Sequence, residues 1–449
     1  MPSLLKGKPG GRYRPRNLDT CQQFSVLETI RSPAISFHYR KYNNKQAQVP
    51  GRNASSHAHK RLKIAVLVRR FVTTGGMERY CVEVTRRLAL KHEVHVFAQE
   101  WTWDRDGGIT FHKIPIFLRK PSFLNLLIFS YLTARSIDDS FDIIHSHERV
   151  THFDALTVHC PCFRTYITEE KNALKRMIKW LAVGISPRKI AYLWLEDRQF
   201  RYKRNRLLLA VSDKIKRNIQ ENYPLPDDYL GLAFPGVDES LTSGEYSTEQ
   251  RETEREKLGI GKDDLVILFV GTEFKRKGLD ALLWGFSRIA GPGVRLMIVG
   301  GGERKKRYRK LVNRLGIKEN VMFLGLIEDM KKIYAVSDIY VLPTLSEPAG
   351  MAPIEAMAAG IPTIISSSIY AGSAEHIRNG EALILDSPDQ PGEVAEALSR
   401  LLDNDLRADI GARGRELAKG LTWDKTTQDT LAVYHKIMRL KESQPLLDP

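Results

Sequence analysis

Leu62–Phe71 reads LKIAVLVRRF, an apolar, β-branched run that needs burial on both faces. The turn TTGG follows at once, then MERYCVEVTRRLAL at helical spacing, then EVHVFAQ as a second strand. Strand, glycine turn, helix and strand form the repeating unit of a doubly wound parallel sheet. From Asp264 the unit restarts as the strand DLVILFVG, the turn FKRKGLD, the helix ALLWGFSRIA and the strand VRLMIVG. FDIIHSH, DALTVH and RLLLAVS add strands to the first series; NVMFLG, DIYVLP and PTIIS add them to the second. A polar, charged stretch, ESLTSGEYSTEQRETERE, separates the two series, and TWDKTTQDTLAVYHKIMRLKE reads as one amphipathic helix. The expected architecture is therefore α/β: two Rossmann-like doubly wound domains facing across a cleft. Their spans are 61–238 and 239–420, preceded by an extension over 1–60 and followed by a C-terminal helix over 421–449 that packs back on the first domain.

Composition narrows the class. A chain of 449 residues suits two domains, and a hydrophobic content of 42 % suits a real core. Four cysteines are too few for a disulfide framework, which points to a reducing compartment. No apolar run reaches the roughly 18 residues of a membrane helix. FLNLLIFSYLTA stops short and fits a buried or interfacial helix. The start lacks an apolar core segment and does not read as a signal peptide. The net charge of +16 is local: residues 1–60 and 160–206 carry +9 and +8. Concentrated positive charge favours an anionic partner, whereas the polar composition of 1–60 favours loose structure.

Ligands of such sheets collect at the carboxyl ends of the strands. Gly75 and Gly76 there allow close backbone approach, and the helix behind them offers free N–H groups to an anion. TTGGMER is not a G-x-G-x-x-G fingerprint, so an ordinary tight turn is the competing reading. Arg276 and Lys277 supply a fork and a point charge suited to a diphosphate, against the alternative of solvated loop charges. Glu347 and Glu355 stand eight positions apart in SEPAGMAPIEAMAAGIP. Gly350 can present backbone N–H groups to a phosphate, Glu355 can accept from a ribose diol, and Glu347 would sit nearer the sugar.

EPAGMAPIEAMAAGIP resembles the E-x₇-E motif of retaining GT-B glycosyltransferases, in the large family four. FKRKG is similar to their diphosphate-binding Arg-Lys turn, and PGVD (Pro235–Asp238) resembles their NGVD, with Pro in place of Asn. GGMERY, VHVFAQEW and WLEDRQF look most like the branch of lipopolysaccharide core glucosyltransferase I. The resemblance covers about 61–440. It implies that a nucleotide sugar, of UDP type, sits on the C-terminal domain over 239–420 and is bound by Arg276, Lys277, Gly350, Glu355, Gly75 and Gly76. An acceptor on the N-terminal domain over 61–238 then attacks the anomeric carbon with retention. Lys277, Glu347 and His159 would carry catalysis. No metal or other cofactor is implied, because Arg276 and Lys277 take over the charge neutralisation done elsewhere by Mg²⁺. The implied product is a hexosylated cell-envelope glycan or glycolipid, with lipopolysaccharide core as the expected acceptor. The enzyme would work in the cytoplasm, on the inner face of the membrane.

The stretch HSHERVTHFDALTVHCPC holds four histidines and two cysteines. A C-x-C without a second pair is a poor zinc signature, and DRD (Asp104–Asp106) beside WTW reads as chance. His147 and His159 each end a strand and should face the cleft; His145 alternates inward as a core residue, and His152 belongs to a loop. His159 stands where relatives carry Asp, so acceptor orientation, a hydrogen bond to the donor sugar and a structural role all stay open. Residues 160–206 interleave cations with aromatic rings, which suits an anionic membrane surface carrying a lipid-linked or polysaccharide acceptor. A solvated helix pair is the alternative. The presence of Arg276, Lys277, Glu347 and Glu355 argues against a degenerate, non-catalytic scaffold, and two other functions compete. One is a different sugar-nucleotide activity on the same fold, such as a 2-epimerase or small-acceptor transferase. The other is a basic nucleic-acid binder, which no recognised motif supports, so no nucleic-acid partner is expected.

Overall fold

The computed structural model describes residues 61–102, 108–170, 172–242, 246–301, 305–378 and 380–443. The extension over 1–60 and the DRD triplet lie outside them, as do the last six residues of the 421–449 segment.

The first half runs β1 (Lys63–Leu67), β2 (Arg70–Phe71), α1 (Gly76–Ala89), β3 (Glu93–Ala98), β4 (Glu100–Trp101), β5 (Ile109–Lys113) and α2 (Ser122–Ser136). It continues with β6 (Ile143–Ser146), β7 (Ala155–Val158), α3 (Thr165–Thr168), α4 (Ala173–Gly184), α5 (Pro187–Gln199), β8 (Leu207–Ala210), α6 (Asp213–Asn222) and β9 (Leu230–Leu232). The second half begins with α7 (Thr248–Lys257), β10 (Leu265–Val270), α8 (Leu279–Phe286), β11 (Val294–Val299), α9 (Lys305–Arg314) and β12 (Val321–Gly325). Then come α10 (Met330–Val336), β13 (Ile339–Leu342), α11 (Met351–Ala358), β14 (Thr363–Ser366) and β15 (Leu383–Leu385). Three helices close the chain: α12 (Pro391–Arg400), α13 (Asn404–Lys419) and α14 (Trp423–Glu442).

Two large parallel sheets result, ordered β5-β3-β1-β6-β7-β8-β9 and β12-β11-β10-β13-β14-β15, and β2 and β4 pair in a separate two-stranded sheet. The α/β expectation therefore holds, strand by strand, for the apolar runs named above. Their central strands are buried on both faces, as in KIAVL and LVILFV. Burial of each such Val, Ile or Leu side chain contributes about 1.5–3 kcal/mol. In each large sheet the order in which strands are added reverses once, between β1 and β6 in the first and between β10 and β13 in the second. These are the crevices where α/β sheets receive ligands.

The charged stretch between the two series is not a mere spacer. Its second part is α7, opened by a reciprocal capping box between Ser247 and Gln250. Arg251 and Arg255 of this helix both bind Asp338, at 2.6 and 2.7 Å, and Arg255 also reaches the Val336 carbonyl. The polar composition hid a helix whose contacts are ionic rather than apolar. Helix α14 returns to the N-terminal sheet: Thr426 donates to the Phe234 carbonyl at 2.6 Å, and Thr422 bridges Val237. The 160–206 segment forms the α4–α5 pair. Among the described residues no helix is long and apolar enough to cross a membrane.

Candidate active site

The Arg276–Lys277 turn follows β10, and the Glu347 loop follows β13, so the switch point of the C-terminal sheet brings them together. Gly278 makes this possible. Its φ is +77°, and a Cβ there would lie 1.8 Å from the Pro343 carbonyl oxygen. The turn therefore lies flush on the end of β13, and the Arg276 carbonyl accepts the Leu345 N–H at 2.8 Å. The Lys277 ammonium bonds the Glu347 carboxylate, Arg276 stands 3.6 Å from it and also donates to the Ser346 carbonyl. All three side chains are a quarter exposed or less. In this state the protein's own carboxylates match the two cations: Glu347 bonds Lys277, and Glu273 pairs with Arg276 at 2.5 Å.

Gly350 caps α11 with φ +86°; a Cβ there would meet the Ser373 hydroxyl at 2.9 Å and Glu347 Cγ at 3.1 Å. Any side chain would push the first turn of α11 off the Glu347 loop. The Ser373 hydroxyl is itself buried without a partner among the described residues, beside that turn. One turn further in, Glu355 is 4 % exposed. Tyr334 donates to one carboxylate oxygen at 2.8 Å, and Arg79 of α1 donates to the other at 2.5 Å. Glu355 holds Arg79 above the usual guanidinium range, against the opposing effect of burial. This pair spans the cleft. Gly76 also faces Met351 across it, whereas the Glu78 carboxylate lies against Gly75. The α1 N-terminus is thus shared with an internal acid.

The N-terminal wall is aromatic. His147 follows β6 at the switch point and His159 follows β7; their rings bond each other, Nδ1 to Nε2, at 3.0 Å. Tyr80 packs edge-on to His159 at 5.0 Å between centroids. His145 lies in the core between Tyr434 of α14 and Thr157, at 2.6 and 2.8 Å. Burial pushes both His145 and His159 down to about 3, and His147 well below its ordinary value, so the trio is neutral. A neutral imidazole can donate at one nitrogen and accept at the other, the property needed to orient hydroxyls. Among the described residues no group of three or more His, Cys, Asp or Glu is arranged to hold a metal ion. Cys160 meets Arg149, and Cys162 is buried with its thiol pushed up.

Sequence reasoning missed Arg79, Tyr334, Ser373 and Lys214. Arg79 had a signal, standing three residues after the Gly75–Gly76 turn. Tyr334 and Ser373 had none, because their elements reach the site only in three dimensions. Lys214 is the second residue of α6, after β8, and donates to the Tyr370 carbonyl of the opposite domain at 2.5 Å.

Two facing parallel-sheet domains with a cationic turn and a carboxylate pair at one switch point define a glycosyltransferase of the GT-B class. A family profile described as Glycosyltransferase Family 4 matches residues 74–241, and one described as Glycosyl transferases group 1 matches 250–417. The chain belongs to the family-four GT-B glycosyltransferases. It is 25 % identical to an uncharacterized glycosyltransferase of Methanocaldococcus jannaschii over 82 % of this chain and 95 % of that one. It is 22 % identical to the lipopolysaccharide glucosyltransferase WaaG of Escherichia coli over 76 % and 89 %. A crystal structure of WaaG superposes with a TM-score of 0.71 at 21 % identity, covering 82 % of this chain and 98 % of that one. Anabaena HepE in complex with UDP and glucose superposes at 0.63, 16 % identical, over 83 % and 98 %.

Proposed function

We propose that this glycosyltransferase moves a hexose from a UDP-sugar, with retention, to a hydroxyl of a lipid-linked cell-envelope glycan such as lipopolysaccharide core. The convergence of Arg276, Lys277 and Glu347 at one switch point carries the reading. A diphosphate entering there exchanges the internal carboxylate for its own charge. As the sugar–phosphate bond breaks, Arg276 and Lys277 stabilise the leaving group, with Gly350 and the α11 N-terminus beside them. Glu355 takes the ribose diol in place of Arg79 and keeps Tyr334, and Glu347, released from Lys277, orients sugar hydroxyls. His159, braced by His147, orients the acceptor from the opposite wall. The Gly75–Gly76 turn closes over the donor from the N-terminal side. The protein side chains supply this chemistry without a metal.

The acceptor side supports a membrane setting. Helix α4 exposes Leu174, Met177, Ile178, Trp180 and Leu181, with Ile185 beyond its end at 83 %. Lys175, Arg176 and Lys179 lie on the same helix. An apolar face with flanking cations suits the interfacial layer of an anionic leaflet, which would place the enzyme peripherally on the inner face of the cytoplasmic membrane.

A thermal-shift and hydrolysis screen with UDP-, GDP- and ADP-sugars, with and without EDTA, tests the donor. A shift with a UDP-sugar that EDTA leaves intact is expected. A response abolished by EDTA, or none to any donor, refutes the reading. Anomeric NMR of the product tests retention.

A further inference from the structure

Helix α6 belongs to the N-terminal domain but grips the loops of the opposite one. Ser212, its N-cap, donates to the Pro348 carbonyl at 2.5 Å. Arg217 pairs with Glu375 at 2.5 Å. Between them, Lys214 donates to the Tyr370 carbonyl at 2.5 Å, and the same carbonyl accepts the Glu347 backbone N–H at 2.7 Å. The Glu347 carbonyl in turn accepts the Gly372 N–H at 3.1 Å. One oxygen atom thus joins an N-terminal-domain ammonium to the backbone of the Glu347 loop. The fit is tight: a Cβ on Gly372 would lie 2.1 Å from the Pro348 carbonyl oxygen and 2.8 Å from the Ser212 side chain.

We propose that Lys214 is a positioning residue for sugar transfer: through the shared Tyr370 carbonyl it fixes the Glu347 loop only when the two domains are apposed. This deepens the assignment of Glu347 to the donor sugar and rests on it. The contact makes the placement of Glu347 conditional on domain apposition, so an open cleft holds the donor without aligning it. A charge-assisted hydrogen bond is about twice as strong as a neutral one, and misplacement of a reacting group by about 1 Å lowers the rate by about a hundredfold. The groups facing Lys214 are Glu347, Glu375 and Glu169, which favour its ammonium, and Arg276, which opposes it. Burial outweighs the three carboxylates and brings it down to about 8. The bond should therefore weaken as pH rises through about 8.

The test compares Lys214→Met, Lys214→Arg and Glu347→Gln in the full chain. UDP release from UDP-glucose, and amide exchange over 344–351, are followed from pH 6.5 to 9.5. K214M should lower kcat by about ten- to a hundredfold, with the UDP-glucose KM within about threefold and faster exchange at the Glu347 amide. K214R should restore kcat to within about threefold and move the alkaline limb upward, because a guanidinium reaches the same carbonyl and stays charged. Unchanged kcat and unchanged Glu347 exchange in K214M would overturn the proposal. So would a loss that K214R shares in full. If E347Q keeps wild-type kcat, the reading of Glu347 falls. If E347Q is inactive while K214M is normal, only the role of Lys214 falls. Should UDP-glucose not turn over, amide exchange alone decides.

Discussion

The Arg79–Glu355 pair is the sharpest quantitative test of the cleft. Arg79 comes from α1 and Glu355 from α11, and their side chains are 25 % and 5 % exposed. Replacing Arg79 by Met keeps most of the stem packing but leaves a buried carboxylate whose remaining partner is Tyr334. Breaking a fully buried pair from one side destabilises by about 3–5 kcal/mol. The partial exposure of Arg79 lets water replace some of the contact, so about 2–3 kcal/mol is expected for R79M. On a domain of this size that is a fall of about 5–10 °C in Tm. Glu355→Gln retains an acceptor for Arg79 and leaves the guanidinium near water, so about 1–2 kcal/mol is expected. The double variant orphans no charge, and its loss should fall short of the sum by about 2 kcal/mol. Denaturant titration of the four proteins at pH 7.5 gives the cycle. R79M within about 0.5 kcal/mol of the parent, or zero coupling, would refute a cross-cleft pair.

Other outcomes follow from the same geometry. Glu355→Ala should mainly raise the donor KM, whereas Lys277→Ala should mainly lower kcat; steady-state kinetics with equal losses in both parameters for both variants would defeat that division. Folding keeps His145 and His159 neutral down to about pH 3, so the native state binds fewer protons than the unfolded chain below its histidine pKa of about 6.5. Their stabilisation is complete above about pH 6.5 and is lost as pH falls, by about 3 kcal/mol for the pair between pH 7.5 and 5.5. Urea midpoints at the two pH values measure the whole fall, to which His147, also held neutral, adds; His145→Gln should make it smaller by about 1.4 kcal/mol. On α4, Leu181→Asp should abolish co-sedimentation with anionic vesicles at low salt while UDP binding persists. Unchanged sedimentation would move the membrane face elsewhere.

Period and punctuation carried the architecture. LKIAVLV and DLVILFV can be buried only on both faces, and glycine turns feeding amphipathic helices leave a parallel sheet as the solution. Glu347, Glu355, Arg276 and Lys277 were legible because their spacing is local: each motif lies within one loop and one helix turn. Helix α7 was legible in principle from its capping box, but charge masked it. The pairings were not legible. Nothing in the chain order says that Arg79 meets Glu355, that His147 braces His159, or that Lys214 shares a carbonyl with Glu347. Each of these joins elements that separate strands place at a sheet's carboxyl edge, so the contact depends on strand order and domain apposition. Local sequence determined which side chains stand at the strand ends. Tertiary structure decided which of them face one another, because burial across the cleft selects the partners that satisfy each charge and hydrogen bond.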